Sequence, residues 1–260
     1  MKYTILILIN GLLIFTFACE QKDNSKPTES KNASQINPAA KGFNHQDSDA
    51  KAISIADQVM IAMGGREAYD KTEYISWNFF GSRKLWWNKN NGDVRIESQK
   101  EDFKVQMNIH TMEGKVWKDS ILLTQPDSLE KYLKQGKNIW INDSYWLVMP
   151  YKLKDSGVTL KYIGEENSDT IKADILELSF KEVGKTPENK YQVYVDKKTN
   201  LVNQWAFYSK ATDEAARFVT PWSGYKKFEN ILLSGDRGRG QLTEIRVGPE
   251  LADELHATLE

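Results

Sequence analysis

The chain changes its hydrophobic rhythm in stages. Residues 4–18 form an almost unbroken apolar run, including Ile5, Leu6, Ile7, Leu8, Ile9, Leu12, Leu13, Ile14, Phe15 and Phe17, that stops at Cys19. Residues 20–50 are rich in Ser, Asn, Lys, Gln, Asp and Pro, with Ile36 and Phe43 their only large apolar side chains. From 52 to 63 the apolar positions Ala52, Ile55, Ala56, Val59, Met60 and Met63 recur at helical spacing. A capping Asp49 precedes them and Gly64-Gly65 ends them, which predicts an amphipathic helix. Beyond it the period falls to two. Ile75, Trp77 and Phe79 alternate with Ser76 and Asn78, and Phe103, Val105, Met107 and Ile109 alternate with Lys104, Gln106, Asn108 and His110.

The same alternation predicts strands at 84–87, 94–98, 114–123, 145–149, 158–163, 171–180, 191–196, 202–208, 224–233 and 242–247. Turn residues punctuate them at short spacing, as in Asn91-Gly92-Asp93, Glu113-Gly114 and Gly235-Asp236-Arg237-Gly238. Sequential hairpins make an antiparallel meander. Two short helices interrupt it, one at 66–70 and one at 126–136, where Leu129, Tyr132 and Leu133 follow Pro126. About a dozen strands cannot all bury a face in a flat sheet. The expected fold class is therefore mainly β (α+β): a curled antiparallel half barrel with the N-terminal amphipathic helix lying over its concave face. No repeat is visible, so a propeller or solenoid is disfavoured.

The apolar run has the layout of a secretory signal and is shorter than the ~20 residues a bilayer core needs. The chain's single cysteine, Cys19, follows it directly behind the small Ala18. That arrangement resembles the lipobox of bacterial lipoproteins, which implies that Cys19 carries acyl chains and becomes the mature N-terminus. An ordinary signal peptide cut near Ala18 is the alternative. Residues 20–50 bury too little to order themselves and read as a tether with a reach of roughly 30 Å. The expected organisation is a signal peptide at 1–18, a lipidated cysteine and tether at 19–50, and one β domain at 51–260.

Charge removes several functions. With 35 Lys+Arg against 36 Asp+Glu and no basic block, the chain lacks the footprint of nucleic-acid binding. One cysteine and the scattered His45, His110 and His256 make no metal site, and no cofactor is expected. No G-x-S-x-G or Walker loop is present, and Gly235, Gly238 and Gly240 with Arg237 and Arg239 read as a charged turn. The expectation is a protein that is not an enzyme. The triplets Asp119-Ser120-Ile121, Asp127-Ser128-Leu129 and Asp169-Thr170-Ile171 are similar to the O-glycosylation pattern of exported Bacteroidota proteins.

The order of parts also carries a likeness. A lipobox, a polar tether, a helix ending Ala62-Met63-Gly64-Gly65, then Ile75-Ser76-Trp77-Asn78-Phe79-Phe80-Gly81 and the Trp86-Trp87 to Arg95 hairpin resemble the LolA/LolB-like superfamily, particularly envelope lipoproteins of Bacteroidota. The phrases from Trp146 to Leu153 and from Tyr191 to Asp196 fit the same resemblance. It implies an incomplete barrel whose concave face holds acyl chains or another greasy ligand. The aromatic load of 11% suits such a face. On the inward phase lie Ile75, Trp77, Phe79, Phe103, Val105, Met107, Trp205 and Phe207, the candidate ligand lining, with Ile55, Val59, Met60 and Met63 on the lid helix. Core packing explains each of them singly.

The leading expectation is thus a lipid-anchored envelope protein, outer-membrane, periplasmic or surface-facing, that holds an acyl-chain or lipoprotein-like ligand in a carrier or sorting role. Its partners would be that ligand and the membrane, through the acyl anchor, with a monomer favoured. The alternatives are a sugar-binding surface lipoprotein, with exposed Trp86, Trp140, Trp146 or Trp222 stacking on rings, and a cryptic hydrolase. Ile231-Leu232-Leu233 reads as a buried strand end rather than an exposed aliphatic loop.

Overall fold

A computed structural model describes residues 36–98, 100–168, 172–180 and 188–259. Cys19, the signal run, most of the tether and the 169–171 triplet lie outside the described residues. Helix α1 (Ala50–Ala62) and the short α2 (Arg66–Lys71) open the domain. Strands β1 (Tyr74–Phe79), β2 (Arg83–Asn88), β3 (Asp93–Ser98), β4 (Phe103–Asn108), β5 (Gly114–Lys118) and β6 (Ile121–Leu122) follow as a meander. After helix α3 (Pro126–Val148) and a 3₁₀ turn (Met149–Lys152) come β7 (Val158–Asn167), β8 (Lys172–Phe180), β9 (Lys190–Asp196), β10 (Val202–Tyr208) and β11 (Phe218–Pro221). The chain ends in β12 (Ser223–Phe228), β13 (Ile231–Arg237), β14 (Gly240–Val247) and α4 (Leu251–His256).

The architecture is mainly antiparallel β and not closed. A nine-stranded sheet runs β12-β13-β14-β1-β2-β3-β4-β5-β6 and a five-stranded sheet runs β11-β10-β9-β8-β7. Burial in β3 and β4 alternates residue by residue, matching the period-two pattern, because one face lies on the core and the other meets less cover. The opposite face of the large sheet is covered locally by α4. There Trp86 packs with Leu251 and Leu255 and donates to Glu254 at 2.9 Å. Arg95 donates to the Glu254 and Ala257 carbonyls and Gln106 to that of Leu255, so three carbonyls at the end of α4 are satisfied. The segment after β14 is thereby a docked helix.

Helix α3 is the main departure. Residues 145–149, expected as a strand, continue a single helix of 23 residues that begins where the short 126–136 helix was expected. Leu129, Leu133, Gly136, Trp140, Ser144 and Leu147 supply a helical stripe, and the apolar run from Tyr145 to Met149 is too short for periodicity to separate from a buried strand. The helix lies against β3, β4, β5 and β13. A Cβ at Gly136 would come 3.0 Å from the Val105 Cγ1 and 3.1 Å from the Met107 Sδ, so a larger residue would require both side chains to give by a few tenths of an ångström.

Other boundaries move as well. Residues 114–123 and 224–233 are hairpins, β5–β6 and β12–β13, rather than single strands, and the short β11 ending in Pro221 was not expected. The packed body also begins before Lys51. Backbone amides of Ala40, Asn44 and Asp49 donate to the carbonyls of Lys154, Val158 and Leu160, and Phe43 is buried. The Asp49 carboxylate does not cap α1; it accepts from the Tyr162 amide at 2.9 Å and from Lys161.

Candidate functional site

Each expected lining residue has a defined place. Ile75, Trp77 and Phe79 on β1 and Phe103, Val105 and Met107 on β4 are buried in one continuous core, Trp77 and Phe103 completely. Val105 and Met107 lie directly beneath Gly136 of α3. This part of the concave face is thus a filled helix–sheet interface. Ile55, Val59, Met60 and Met63 enter the same core, while α1 itself lies against β7 and the 3₁₀ turn. The Tyr151 hydroxyl donates to the Met63 carbonyl at 2.8 Å and accepts from the Leu232 amide, tying the end of α1 to β13. Ile231 and Leu233 are buried.

Trp205 and Phe207 belong to the inner face of the smaller sheet, and here the packing is incomplete. The register aligns Leu178 with Tyr191, Tyr191 with Phe207, and Phe207 with Phe218, so four strands bring their side chains to one row. Leu178 and Trp205 are buried, whereas Tyr191 and Phe207 are half-buried and Phe218 is 37% exposed. Ring centroids lie 5.5 Å apart for Tyr191–Phe207 and 5.1 Å for Phe207–Phe218. Phe180 joins at 5.3 Å from Tyr191. Helix α3 contributes Trp146, stacked at 6.0 Å on Phe218 and 4.5 Å from Trp205, and Tyr145 at 5.7 Å from Tyr191. Phe80 touches Trp146 at 5.4 Å and Phe79 at 4.3 Å. The result is a contiguous, half-exposed aromatic track at the mouth between α3 and the small sheet. Burial pushes the Tyr145 and Tyr191 hydroxyls above the ordinary phenol range, so this wall is uncharged at neutral pH.

A depression lies at each end of the track. One is a cleft of about 240 Å³ whose walls include Trp140, Tyr145, Val158 and Phe180. The other is an open groove of about 750 Å³ along α3, lined by Arg83, Lys131, Lys134, Gln135, Asn138 and Asn142 among others. Arg83 lies 4.9 Å from the Phe79 ring and binds Asp143 through two nitrogens, at 2.6 and 2.8 Å. Asp143 is fully buried, and that burial raises its carboxyl above the ordinary value despite the guanidinium.

Two pieces of this site were not visible in the sequence. Arg237, placed on a charged turn by its neighbours, points inward and is buried. It stacks 3.5 Å from the Trp222 ring and donates to the carbonyls of Ser234, Asp236 and Trp146, the last holding α3 against β13. Burial lowers its guanidinium to about 9, which leaves it charged at neutral pH. Tyr145, Trp146, Phe180, Tyr191 and Phe218 were also outside the expected lining. Tyr191 shares the apolar phase of Val193 and Val195, the one local signal that could have included it.

The exposed-tryptophan arrangement needed for sugar stacking does not occur. Trp86 lies under α4 and Trp222 under Arg237, both buried, while Trp140 and Trp146 are half-buried against Trp87 and Trp205.

No family model matches the chain, and no curated protein matches it significantly. Among solved structures it is similar to a DUF1329-family protein from Desulfovibrio piger, with 16% identity, a TM-score of 0.43, and 78% of this chain and 95% of that one covered. It is also similar to an outer membrane lipoprotein-sorting protein domain from Vibrio parahaemolyticus, at 10% identity and a TM-score of 0.37 over 79% and 96% of the two chains. A LolA-superfamily protein from Nitrosomonas europaea aligns at 11% identity and a TM-score of 0.38, over 76% of this chain and 93% of that one.

Proposed function

We propose that this chain is a lipid-anchored envelope protein that binds the acyl part of a lipid or lipoprotein-like ligand at the aromatic mouth, in a carrier or sorting role, as a monomer and without covalent chemistry. The observation that carries this reading is the row Tyr191–Phe207–Phe218, which three strands align and which the fold leaves half-covered. Rings brought to one row yet left in contact with water favour an apolar occupant. Covering ~100 Å² of such surface contributes about 2.5 kcal/mol. Micromolar affinity, about 8 kcal/mol net of the cost of association, would therefore require a chain to bury on the order of 500 Å² or more of combined apolar surface along the rings and the cleft. The cleft, about 240 Å³, is smaller than the ~300–1,000 Å³ that encloses a whole small ligand, so it suits one segment of a longer chain.

The test is uptake. The protein carrying Cys19→Ser is expected to bind a fluorescent fatty-acid probe and to quench tryptophan emission as it does. Phe218→Asp is expected to weaken that binding about tenfold, because the carboxylate must lose water against the chain, and to lower the melting temperature by only a few degrees as the contacts with Trp146 and Phe207 are lost. A protein that emerges ligand-free in native mass spectrometry and takes up no probe would reject the proposal.

The anchor is tested separately. Cys19→Ser is expected to move the protein from the membrane fraction to the soluble one, since durable attachment needs more than one acyl chain and here all of them would sit on that residue. Retention on membranes through a high-salt wash would remove Cys19 from the account.

A further inference from the structure

We infer that the ligand is an amphiphile whose polar head, neutral or zwitterionic, lies in the groove beside Arg83 and α3 while its chain follows the aromatic track toward the cleft. This rests on the binding mode proposed above and adds the class of ligand. The two depressions differ in chemistry and are joined by an unbroken series of contacts. From Arg83 the ring contacts run through the buried Phe79 and the half-buried Phe80 to Trp146, then along the row to Phe180, in a cleft whose lining mixes Trp140, Tyr145 and Val158 with Ser144, Lys152 and Asp155. A hydrocarbon would use the row and cleft and leave the groove to water; an amphiphile uses all three.

The groove's charges select the head. Arg83, Lys131 and Lys134 stand against Asp127 and Glu130 on its walls and Asp143 beneath, so cations and carboxylates balance. Arg83 is committed to Asp143, and Lys134 is held by Glu130 at 2.5 Å. Among the described residues, Lys131, 5.4 Å from the Tyr132 ring, is the one cation of the groove that no carboxylate holds, so a multiply anionic head would meet a single uncompensated charge. Gln135 and Asn138 supply side-chain amides, each able to donate and accept. Such a lining fits a head with donors and acceptors of its own and no net charge.

The experiment compares three probes on the purified protein by native mass spectrometry and tryptophan fluorescence: palmitoyl lysophosphatidylethanolamine, palmitoyl lysophosphatidylglycerol, and hexadecane delivered from cyclodextrin. The ethanolamine lipid is expected to bind most tightly. The double variant Gln135→Ala, Asn138→Ala keeps good helix formers on an exposed face, so the fold should survive. It is expected to weaken the ethanolamine lipid about tenfold, the loss of two ordinary hydrogen bonds, and to leave hexadecane unchanged. An equal effect on both, or none, would overturn the head site while leaving the acyl-binding reading intact. Tighter binding of the anionic lipid would overturn the charge assignment. Failure of all three probes would remove the acyl-binding reading itself, and this inference with it.

Discussion

Replacing Arg83 by methionine is expected to cost about 3–5 kcal/mol at neutral pH. The side chain spans from β2 to α3, where two nitrogens meet the Asp143 carboxylate, which has no exposed surface. Methionine keeps the apolar stem and removes the charge together with the two donated hydrogen bonds. What remains is a buried carboxylate with the Asn142 amide as its neighbour, and a desolvated anion is far costlier than a missing ion pair. Burial already raises the Asp143 carboxyl above its ordinary value. A raised folded-state carboxyl means that stability declines as pH climbs from the ordinary value to the raised one. Without the guanidinium, whose attraction lowers it, the carboxyl rises further and the window extends upward. The loss measured by urea denaturation should therefore be largest at neutral pH and shrink in mildly acidic buffer, where Asp143 takes up a proton. A loss independent of pH would show that Arg83 acts through packing alone.

How much of this was legible differs by element. Where one face of a strand is buried and the other is not, side-chain period alone identifies it, and β4 with its Phe103, Val105 and Met107 stripe is the clearest case. The run from Tyr145 to Met149 failed for a physical reason. It sits where α3 is enclosed by the small sheet, β13 and the 3₁₀ turn, so burial on several sides erases the polar positions that mark helical spacing. Arg83 and Asp143 lie 60 positions apart and meet only because α3 crosses the sheet. Nothing local in either neighbourhood announces the pair.

The candidate site follows the same division. Trp205 and Phe207 could be assigned inward from alternation within β10. The row they belong to could not, because it exists only when Tyr191, Phe207 and Phe218 fall opposite one another, and register is a property of pairing. Phe218 was hardest to anticipate. It opens a four-residue strand ending in proline, and proline normally argues against strand. Here Pro221 terminates an edge strand just before the corner at Trp222, whose amide donates to the Asn203 carbonyl. That corner carries the chain from the small sheet into the large one, and the half barrel curls there.

The second large loss is expected at Lys154, and it concerns the first residues that the structure describes. Lys154 and Asp57 are both almost wholly buried, with the ammonium 2.5 Å from the carboxylate. Asn37 completes the group: its side-chain amide donates to Asp57 at 2.8 Å and its carbonyl accepts from Lys154. The network joins α1, the segment after the 3₁₀ turn and the stretch before α1, which Phe43 also anchors in the core. Lys154→Met leaves the carboxylate without its ammonium and is expected to destabilise by about 3–5 kcal/mol. Adding Asp57→Leu should restore most of that loss, since a buried pair and an apolar pair of similar volume are often close in stability. The single variant should also speed proteolysis near residues 37–44 more than elsewhere, because the same carbonyl of Asn37 loses its donor. If the double variant is no more stable than the single one, the loss comes from disturbed packing and the ion pair is not what secures this end of the domain.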